Sequence, residues 1–326
     1  MESPTKRVRS NANFIGFAAG AHCLASLAVS LLMTAYVILV QLFVPSAGPA
    51  LFDSAWLETS AGGLLLNMVL YIAVVFLPYM LMAKLRKFSL KELFGTGRAP
   101  AKAYLFTIFA CFLISFAASA VAGLMEAGFN ACGLTDLAGS EYAYPGSPAA
   151  AVLQFLSIAI LPPLAEELCF RGYVFKEASR SAGTVCSVLV AAIVFALAHT
   201  SFTTIPLALL FGIFAGFLRE KYDTILPAVV GHAVINSVYF FVNYVTYFLP
   251  AQQVFRINML VNGISLACSA FAILLFVWGR SGETAFFRPA RAGKAAPSVL
   301  GYITSLPFVL MMAVLVVKAV LNLQVL

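Results

Sequence analysis

Stretches of apolar residues about 20 long recur along the whole chain, with short polar segments between them. Stretches of this length predict helices that cross a membrane, because the strands of a membrane barrel are about half as long and alternate apolar with polar residues. About nine stretches qualify, at residues 14–44, 62–83, 103–126, 150–175, 183–199, 205–219, 225–248, 258–279 and 298–323. We therefore predict an all-α fold, a polytopic membrane helical bundle of about eight to nine transmembrane helices.

Composition strengthens this prediction. The 326 residues are 62% hydrophobic and 10% charged, with a mean hydropathy of +0.97, whereas a soluble domain is typically about 45–50% apolar and about 25% charged. The net charge of +7 does not indicate a nucleic-acid partner, because the Lys and Arg residues gather in short segments between the predicted spans. Membrane lipid is the partner that the composition predicts.

The polar segments alternate between basic and acidic along the chain. Lys and Arg precede the first span and recur in segments 84–102, 176–180, 219–221 and 280–294, whereas 45–62 and 133–147 contain acids but no Lys or Arg. Basic loops stay in the cytoplasm, so we predict a multi-pass cell-membrane protein with a cytoplasmic N-terminus. Nine spans then put the C-terminus outside, and Cys132 lies in an outside loop.

The chain contains no evident internal repeat or soluble domain, so we expect one bundle with three parts. Residues 1–147 contain about three N-terminal spans, 148–249 a denser core of about four helices, and 250–326 about two C-terminal spans. Gly212 and Gly216 lie four apart in the core, a spacing that lets neighbouring helices approach closely.

One span of the core carries ionisable residues that lipid disfavours. They follow two prolines, and the set is Pro162, Pro163, Glu166, Glu167 and Arg171. Residues four apart share a helix face, so Glu167 and Arg171 are expected to pair, while Glu166 points elsewhere without a local partner. Charges inside a span cost several kcal/mol unless they are paired or face water, so Glu166 indicates a functional site. The prolines remove backbone donors, and we expect a kink and freed carbonyl groups before the acids.

Two further spans of the core carry histidine. Phe195 and His199 lie at the end of one, and His232 and Asn236 lie four apart on one face of another, so that both can donate to a single oxygen atom. Each is also compatible with a structural role, such as a hydrogen bond between helices. His22 has no polar neighbour in the sequence, and we interpret it as structural.

These residue types suit the hydrolysis of a peptide bond by an activated water molecule. A carboxylate with an imidazole can take a proton from water, and a second His with an amide can stabilise the oxyanion that forms. The nucleophile and zinc motifs GxSxG and HExxH are absent. A zinc ion bound by Glu166, His199 and His232 is the competing interpretation, and the sequence does not separate the two.

At these residues the chain resembles the CPBP family of intramembrane proteases, also called the CAAX protease and bacteriocin-processing or Abi family. The family motifs are EExxxR, FxxxH and HxxxN or HxxxD on successive membrane helices. This chain has Glu166-Glu167 with Arg171, then Phe195 with His199, then His232 with Asn236. Each motif is weak alone, but three in this order are specific, and the resemblance covers roughly residues 148–249.

The resemblance implies a role for each residue. Glu166 and His199 would activate the water, His232 and Asn236 would form the oxyanion hole, and Glu167, Arg171 and Phe195 would support the site. It favours water activated by glutamate without tightly bound zinc, so no cofactor is firmly expected and zinc stays an alternative.

The resemblance also implies an intramembrane endopeptidase similar to CAAX prenyl proteases, acting in peptide or bacteriocin processing or in self-immunity. Its substrate would be a peptide or protein, prenylated or membrane-associated, cleaved near the cytoplasmic face. A non-enzymatic scaffold or immunity protein of the same fold is the alternative, and a proton-coupled transporter is a third hypothesis.

The depths of the predicted site residues disagree. At 1.5 Å per residue, His199 lies about 25 Å along its span from the inner side, whereas Glu166 lies only about 15 Å from the inner end of its own span. The span that ends at His199 must therefore tilt, begin outside the bilayer core, or be only partly inserted.

Overall fold

The structure, a computed structural model, describes residues 3–43, 54–136, 144–199, 201–278 and 299–325. The predicted basic segment 280–294, with Arg280, Arg288, Arg291 and Lys294, lies outside the described residues, as do parts of the acidic segments 45–62 and 133–147.

The described residues form a helical bundle with one short two-stranded ribbon. In chain order the elements are α1 (Pro4–Phe43), α2 (Ser54–Thr59), α3 (Ala61–Leu85), α4 (Leu90–Phe94), α5 (Ala101–Ala131), β1 (Leu134–Asp136), α6 (Pro148–Ser179), α7 (Thr184–Ala198), α8 (Ile205–Tyr222), α9 (Leu226–Tyr247), α10 (Ala251–Trp278), α11 (Val299–Ile303), α12 (Leu306–Leu321) and β2 (Leu323–Val325).

Eight of the nine predicted spans correspond to one helix each, and the ninth, 298–323, is divided into α11 and α12. Three helices are shorter than a full crossing. Six helices of the described chain are long and apolar enough to cross a membrane, namely α1, α3, α5, α6, α9 and α10. The 15 residues of α7 and the 16 of α12 cover only about 22–24 Å, against a hydrocarbon core of about 30 Å. Helix α8 has 18 residues and carries Arg219 and Lys221 in its last turn.

Ion pairs fasten the helices together at one end of the bundle, which we call the basic end (Asn11, Arg86, Glu177, Arg180, Arg219 and Asp223). Glu177 of α6 is fully buried and accepts from Nε of Arg86 at 2.9 Å and from Arg180 at 3.1 Å. Arg86 also donates to Asn11, and Asn11 donates to Ser181. These contacts explain why α1 begins about ten residues before its predicted start: its polar first turns pack against this network.

A second group of hydrogen bonds at the basic end, all accepted by Asp223, joins α6, α8 and the loop after α4. Asp223 follows α8 in a left-handed conformation, with φ of 45°, and accepts from Arg219 at 2.6 Å, Thr96 at 2.8 Å and Lys176 at 2.9 Å. Partial burial raises the pKa of the Asp223 carboxyl, but hydrogen bonds from Lys176, Thr96 and Arg219 outweigh burial and hold that pKa well below its usual value.

Hydrogen bonds and aromatic contacts link the other end of the bundle, which we call the acidic end (Glu58, Asp136, Tyr144, Ser201 and Tyr247). The Gly146 N–H donates to the Thr59 carbonyl at 3.0 Å, and the Tyr144 ring stacks on that of Tyr247 at 4.6 Å. Strands β1 and β2 pair antiparallel beside them, with Thr135 opposite Gln324. The end of α5 and the described C-terminal residues therefore lie at the same end of the bundle.

Helices α7 and α8 pack closely through the predicted pair of glycines. A Cβ atom on Gly212 would lie 3.0 Å from Ala192, and one on Gly216 would lie 2.9 Å from a methyl group of Val188. Val188 and Ala192 are also four residues apart and therefore lie on one face of α7. The two glycines of α8 pack against this face. The predicted close approach is confirmed, and it holds α7 and its following His199 against the core.

Candidate active site

The two prolines of α6 leave a carbonyl group that a neighbouring helix satisfies. The Ile158 carbonyl would normally accept from the backbone N–H four or five residues later, but these positions are Pro162 and Pro163, which have no N–H. Residues 156–160 form a π turn at this point. The Asn236 side chain of α9 donates to the Ile158 oxygen at 2.9 Å instead. The predicted freed carbonyl is thus present, and it fixes Asn236 beside α6.

Glu167 and Arg171 form the predicted pair inside the bundle. Arg171 donates to Glu167 Oε1 at 2.8 Å, and both side chains are fully buried. The guanidinium lies 4.3 Å above the Phe195 ring and 5.4 Å from that of Phe211, so aromatic faces surround the cation where hydrogen bonds do not. This contact gives Phe195, the first residue of its motif, a physical role.

His232 is fixed by the same carboxylate. Its Nδ1 lies 3.2 Å from Glu167 Oε1, and its ring packs 5.0 Å from that of Phe211 and 5.7 Å from that of Phe195. A carboxylate only accepts, so Nδ1 carries the hydrogen and Nε2 points the other way. Nε2 lies 3.8 Å from Glu166 Oε2.

Glu166 has surroundings unlike those of Glu167. Its Oε1 accepts a hydrogen bond of 2.6 Å from the Tyr71 hydroxyl of α3, while its Oε2 has no hydrogen-bond partner among the described residues. The side chain is largely but not wholly buried, with 14% exposed. One oxygen is therefore held in place, and the other remains able to accept from a water molecule.

His199 follows the last residue of α7 and has one ring nitrogen in use. Its Nδ1 lies 2.9 Å from the Phe195 carbonyl, which can only accept, so Nδ1 carries the hydrogen and the Nε2 of the neutral ring is a free acceptor. Among the described residues, His199 makes no hydrogen bond or ion pair with Glu166. The imidazole beside Glu166 is instead that of His232.

A single cavity of about 550 Å³ brings these groups together. Its wall includes Glu166, His199, His232 and Asn236, the four residues predicted to be catalytic. The volume lies within the roughly 300–1,000 Å³ typical of ligand pockets. Glu167 and Arg171 lie behind this wall, as expected of residues that support a site.

The arrangement does not fit a zinc site with three protein ligands. Such a site needs three donor atoms within about 2.0–2.2 Å of one point. No three His, Cys, Asp or Glu side chains in the described part of the chain are arranged to hold a metal ion. Glu166 and His232 approach each other, but His199 does not complete the set with them.

Sequence reasoning missed one residue of this region. Tyr71, the partner of Glu166, is an aromatic residue in an apolar span about 95 positions away, and nothing in the neighbouring sequence indicates its role. His22, which the sequence analysis interprets as structural, packs its ring 5.9 Å from that of Tyr79.

The disagreement between predicted depths disappears because α6 is longer than predicted. Helix α6 continues to Ser179, so Glu166 lies about 20 Å from the end of α6 that belongs to the basic end, close to the roughly 22 Å between Thr184 and His199. The residue before α9, Ile225, donates its N–H to the Phe94 carbonyl at the basic end. His232 lies about two turns along α9 and contacts Glu167 from there.

Comparison with known proteins agrees with this geometry. The family model described as type II CAAX prenyl endopeptidase Rce1-like matches residues 148–238, a range that contains all seven predicted catalytic and supporting residues but not Tyr71. No curated protein and no solved structure matches the chain. The chain is therefore a helical membrane protein with an Rce1-like domain, consistent with the CPBP family.

Proposed function

We propose that the chain is an intramembrane endopeptidase in which Glu166 activates a water molecule to hydrolyse a peptide bond. The observation that carries this proposal is that Glu166, whose Oε2 has no hydrogen-bond partner among the described residues, lines a cavity together with His199, His232 and Asn236. An Rce1-like match over the same residues supports a protease.

The protons of the reaction can be assigned to named atoms. Glu166 Oε2, or Nε2 of His199, takes a proton from water as the water oxygen bonds to the substrate carbonyl carbon. The carbon–nitrogen bond then breaks, and the same proton passes to the leaving amine. Tyr71 keeps the carboxylate oriented throughout, because its hydroxyl donates to the other oxygen of Glu166.

The oxyanion that forms on the substrate needs hydrogen-bond donors. Asn236 has two amide hydrogens, one of which binds the Ile158 carbonyl, so the second remains for the substrate oxygen. His232 donates from Nε2 when its ring carries two hydrogens, and the Glu167 and Glu166 carboxylates beside it balance that charge. One such donor is typically worth about 10²–10³ in kcat.

The biological role that we propose is the processing of a membrane-associated peptide or protein, in peptide or bacteriocin maturation or in self-immunity. The substrate, with membrane lipid, is the partner that this role implies. A scaffold or immunity protein without catalysis is the alternative, and it predicts no hydrolysis under any condition tested.

Hydrolysis in heavy-oxygen water tests the proposal. The purified protein in liposomes is given a peptide pool that includes prenylated chains, and new carboxyl termini carrying ¹⁸O are detected by mass spectrometry. We expect Glu166→Gln to lower the rate by about 10²–10⁴. Glu220→Gln is the matched control, because Glu220 accepts from Thr184 at the basic end, away from the cavity. Equal rates for wild type and Glu166→Gln, or no labelled product at all, would favour the scaffold.

A further inference from the structure

Most of the residues that line the cavity lie on the parts of their helices that are nearer the acidic end, and those of α9 lie in the middle of that helix. On α6 the lining residues run from Gln154 to Glu166, and none lies among the 13 residues that follow. On α9 they run from His232 to Tyr239, with six helix residues before them and eight after. Those on α3 lie in its first half, those on α8 in its first two turns, and His199 follows the last residue of α7.

The basic end of the bundle is closed beneath the site. Residues 168–175 of α6 are all buried, and α4 lies across them. A Cβ atom on Gly172 would lie 3.1 Å from the Leu93 carbonyl oxygen, which leaves no passage between the two helices. Arg219 fastens α4 further by donating to the Glu92 carbonyl at 2.9 Å.

We propose that the substrate reaches Glu166 from the acidic end, which the charge pattern assigns to the extracytoplasmic side of the membrane. The expectation of a cytoplasmic substrate assumed that Glu166 lies close to the inner surface. In the structure α4 and the last 13 residues of α6 lie on the side of Glu166 towards the basic end, while the cavity extends from Glu166 to Glu58 and Thr204 at the acidic end. That the cavity holds a peptide rests on the proposed function, but its sidedness does not.

The charges of the wall indicate the class of peptide. Among the described lining residues the acids are Glu58 and Glu166, and there is no Lys or Arg. The other polar lining groups include the amides of Asn67, Gln154 and Asn236. A free terminal carboxylate would meet two acids and no Lys or Arg here, whereas a cationic segment would be attracted to the acids and a neutral segment would not be repelled. The substrate class is therefore a neutral or cationic segment of an exported peptide or of an extracytoplasmic juxtamembrane region.

Labelling of single thiols in intact cells tests the sidedness. Wild-type Cys132 is exposed just after α5 and serves as the reporter of the acidic end. In a Cys132→Ser background, Asn67→Cys reports the cavity and Arg98→Cys reports the loop after α4. The probe is a charged maleimide that does not cross membranes, applied before and after permeabilisation, with Cys132→Ser alone as the blank.

We expect Cys132 and the Asn67→Cys variant to label in intact cells, and Arg98→Cys to label at least tenfold more after permeabilisation. Labelling of Asn67→Cys only after permeabilisation, or not at all, would overturn the proposal, as would labelling of Arg98→Cys in intact cells. Repeating the labelling with Glu166→Gln separates this result from the proposed function, because labelling requires no turnover. Cleavage with the wrong sidedness would refute only this inference, and correct sidedness without cleavage would refute only the endopeptidase.

Discussion

Glu166 and Glu177 are acids of the same helix, about three turns apart, in opposite surroundings. Glu177 at the basic end is fully buried between Arg86 and Arg180, so its charge is balanced and it links α6 to the loop after α3. Glu166 lines the cavity, with one oxygen bound to a hydroxyl and the other without a hydrogen-bond partner among the described residues. An acid held by cations stabilises the bundle, whereas one left with a free oxygen beside imidazoles is suited to chemistry.

The sharpest test of this contrast is to remove the stabilising acid. Glu177→Ala leaves two arginines without their carboxylate, and we expect the free energy of unfolding to fall by about 3 kcal/mol, the lower part of the range for broken buried pairs, because both arginines still reach water. Unfolding in detergent measures this loss.

The matched comparison is Glu166→Gln, which should behave in the opposite way. We expect it to unfold within about 1 kcal/mol of wild type, because the amide oxygen of Gln can still accept from the Tyr71 hydroxyl, while Glu177→Ala keeps normal turnover per folded molecule. If both variants lose stability equally and neither loses turnover selectively, the distinction between the two acids is wrong.

A smaller effect is expected at Tyr71, which positions Glu166 rather than touching the substrate carbonyl. Tyr71→Phe removes a hydrogen bond to a carboxylate, worth about 1.5–3 kcal/mol, so we expect kcat to fall roughly 10- to 100-fold with KM little changed. Steady-state kinetics with the cleaved peptide separates the two constants.

The same helix offers the control for Tyr71. Tyr79 is buried, and its hydroxyl has no hydrogen-bond partner among the described residues, so Tyr79→Phe should leave kcat and KM unchanged. A loss of kcat in both variants would indicate a general disturbance of α3 instead of a positioning role.

The smallest effect is expected from Asp223, where the basic end is partly open to solvent. Because its pKa is lowered in the folded protein, its contribution to stability is present above the unfolded pKa of about 3.9 and is lost as the pH falls through the lower folded value. We expect Asp223→Asn to lower the thermal midpoint at pH 7, with the difference from wild type shrinking below about pH 4.

Asn is a suitable replacement at position 223 because it also tolerates a left-handed backbone and can still accept hydrogen bonds. A difference that stays constant from pH 7 to pH 3 would show that geometry, and not charge, makes Asp223 stabilising.

Local spacing made part of this architecture predictable. Glu167 with Arg171 and Gly212 with Gly216 are pairs four residues apart, and a helix brings such pairs together whatever surrounds it. The freed Ile158 carbonyl follows equally from Pro162, because a missing N–H leaves its acceptor unpaired.

Contacts between distant parts of the chain were not predictable in this way. Tyr71 is one of 12 tyrosines, and only folding brings its hydroxyl to Glu166. The distance of Glu166 from the end of α6 depended on whether the helix ends at residue 175 or 179. Contacts at the basic end, such as those of Glu177, decide this and are not visible in the sequence. The direction of the cavity required the positions of lining residues on several helices at once. The three-part division of the chain stays a prediction, although Tyr71 links its first part to the second.

The hydrogen bond from Tyr71 has a consequence for protein engineering. Residues 148–238 look like a portable cassette, since they contain every motif residue. If this segment alone were transferred to another scaffold, Glu166 would lose the Tyr71 hydroxyl that orients its carboxylate. A functional graft must therefore also include the part of α3 around Tyr71.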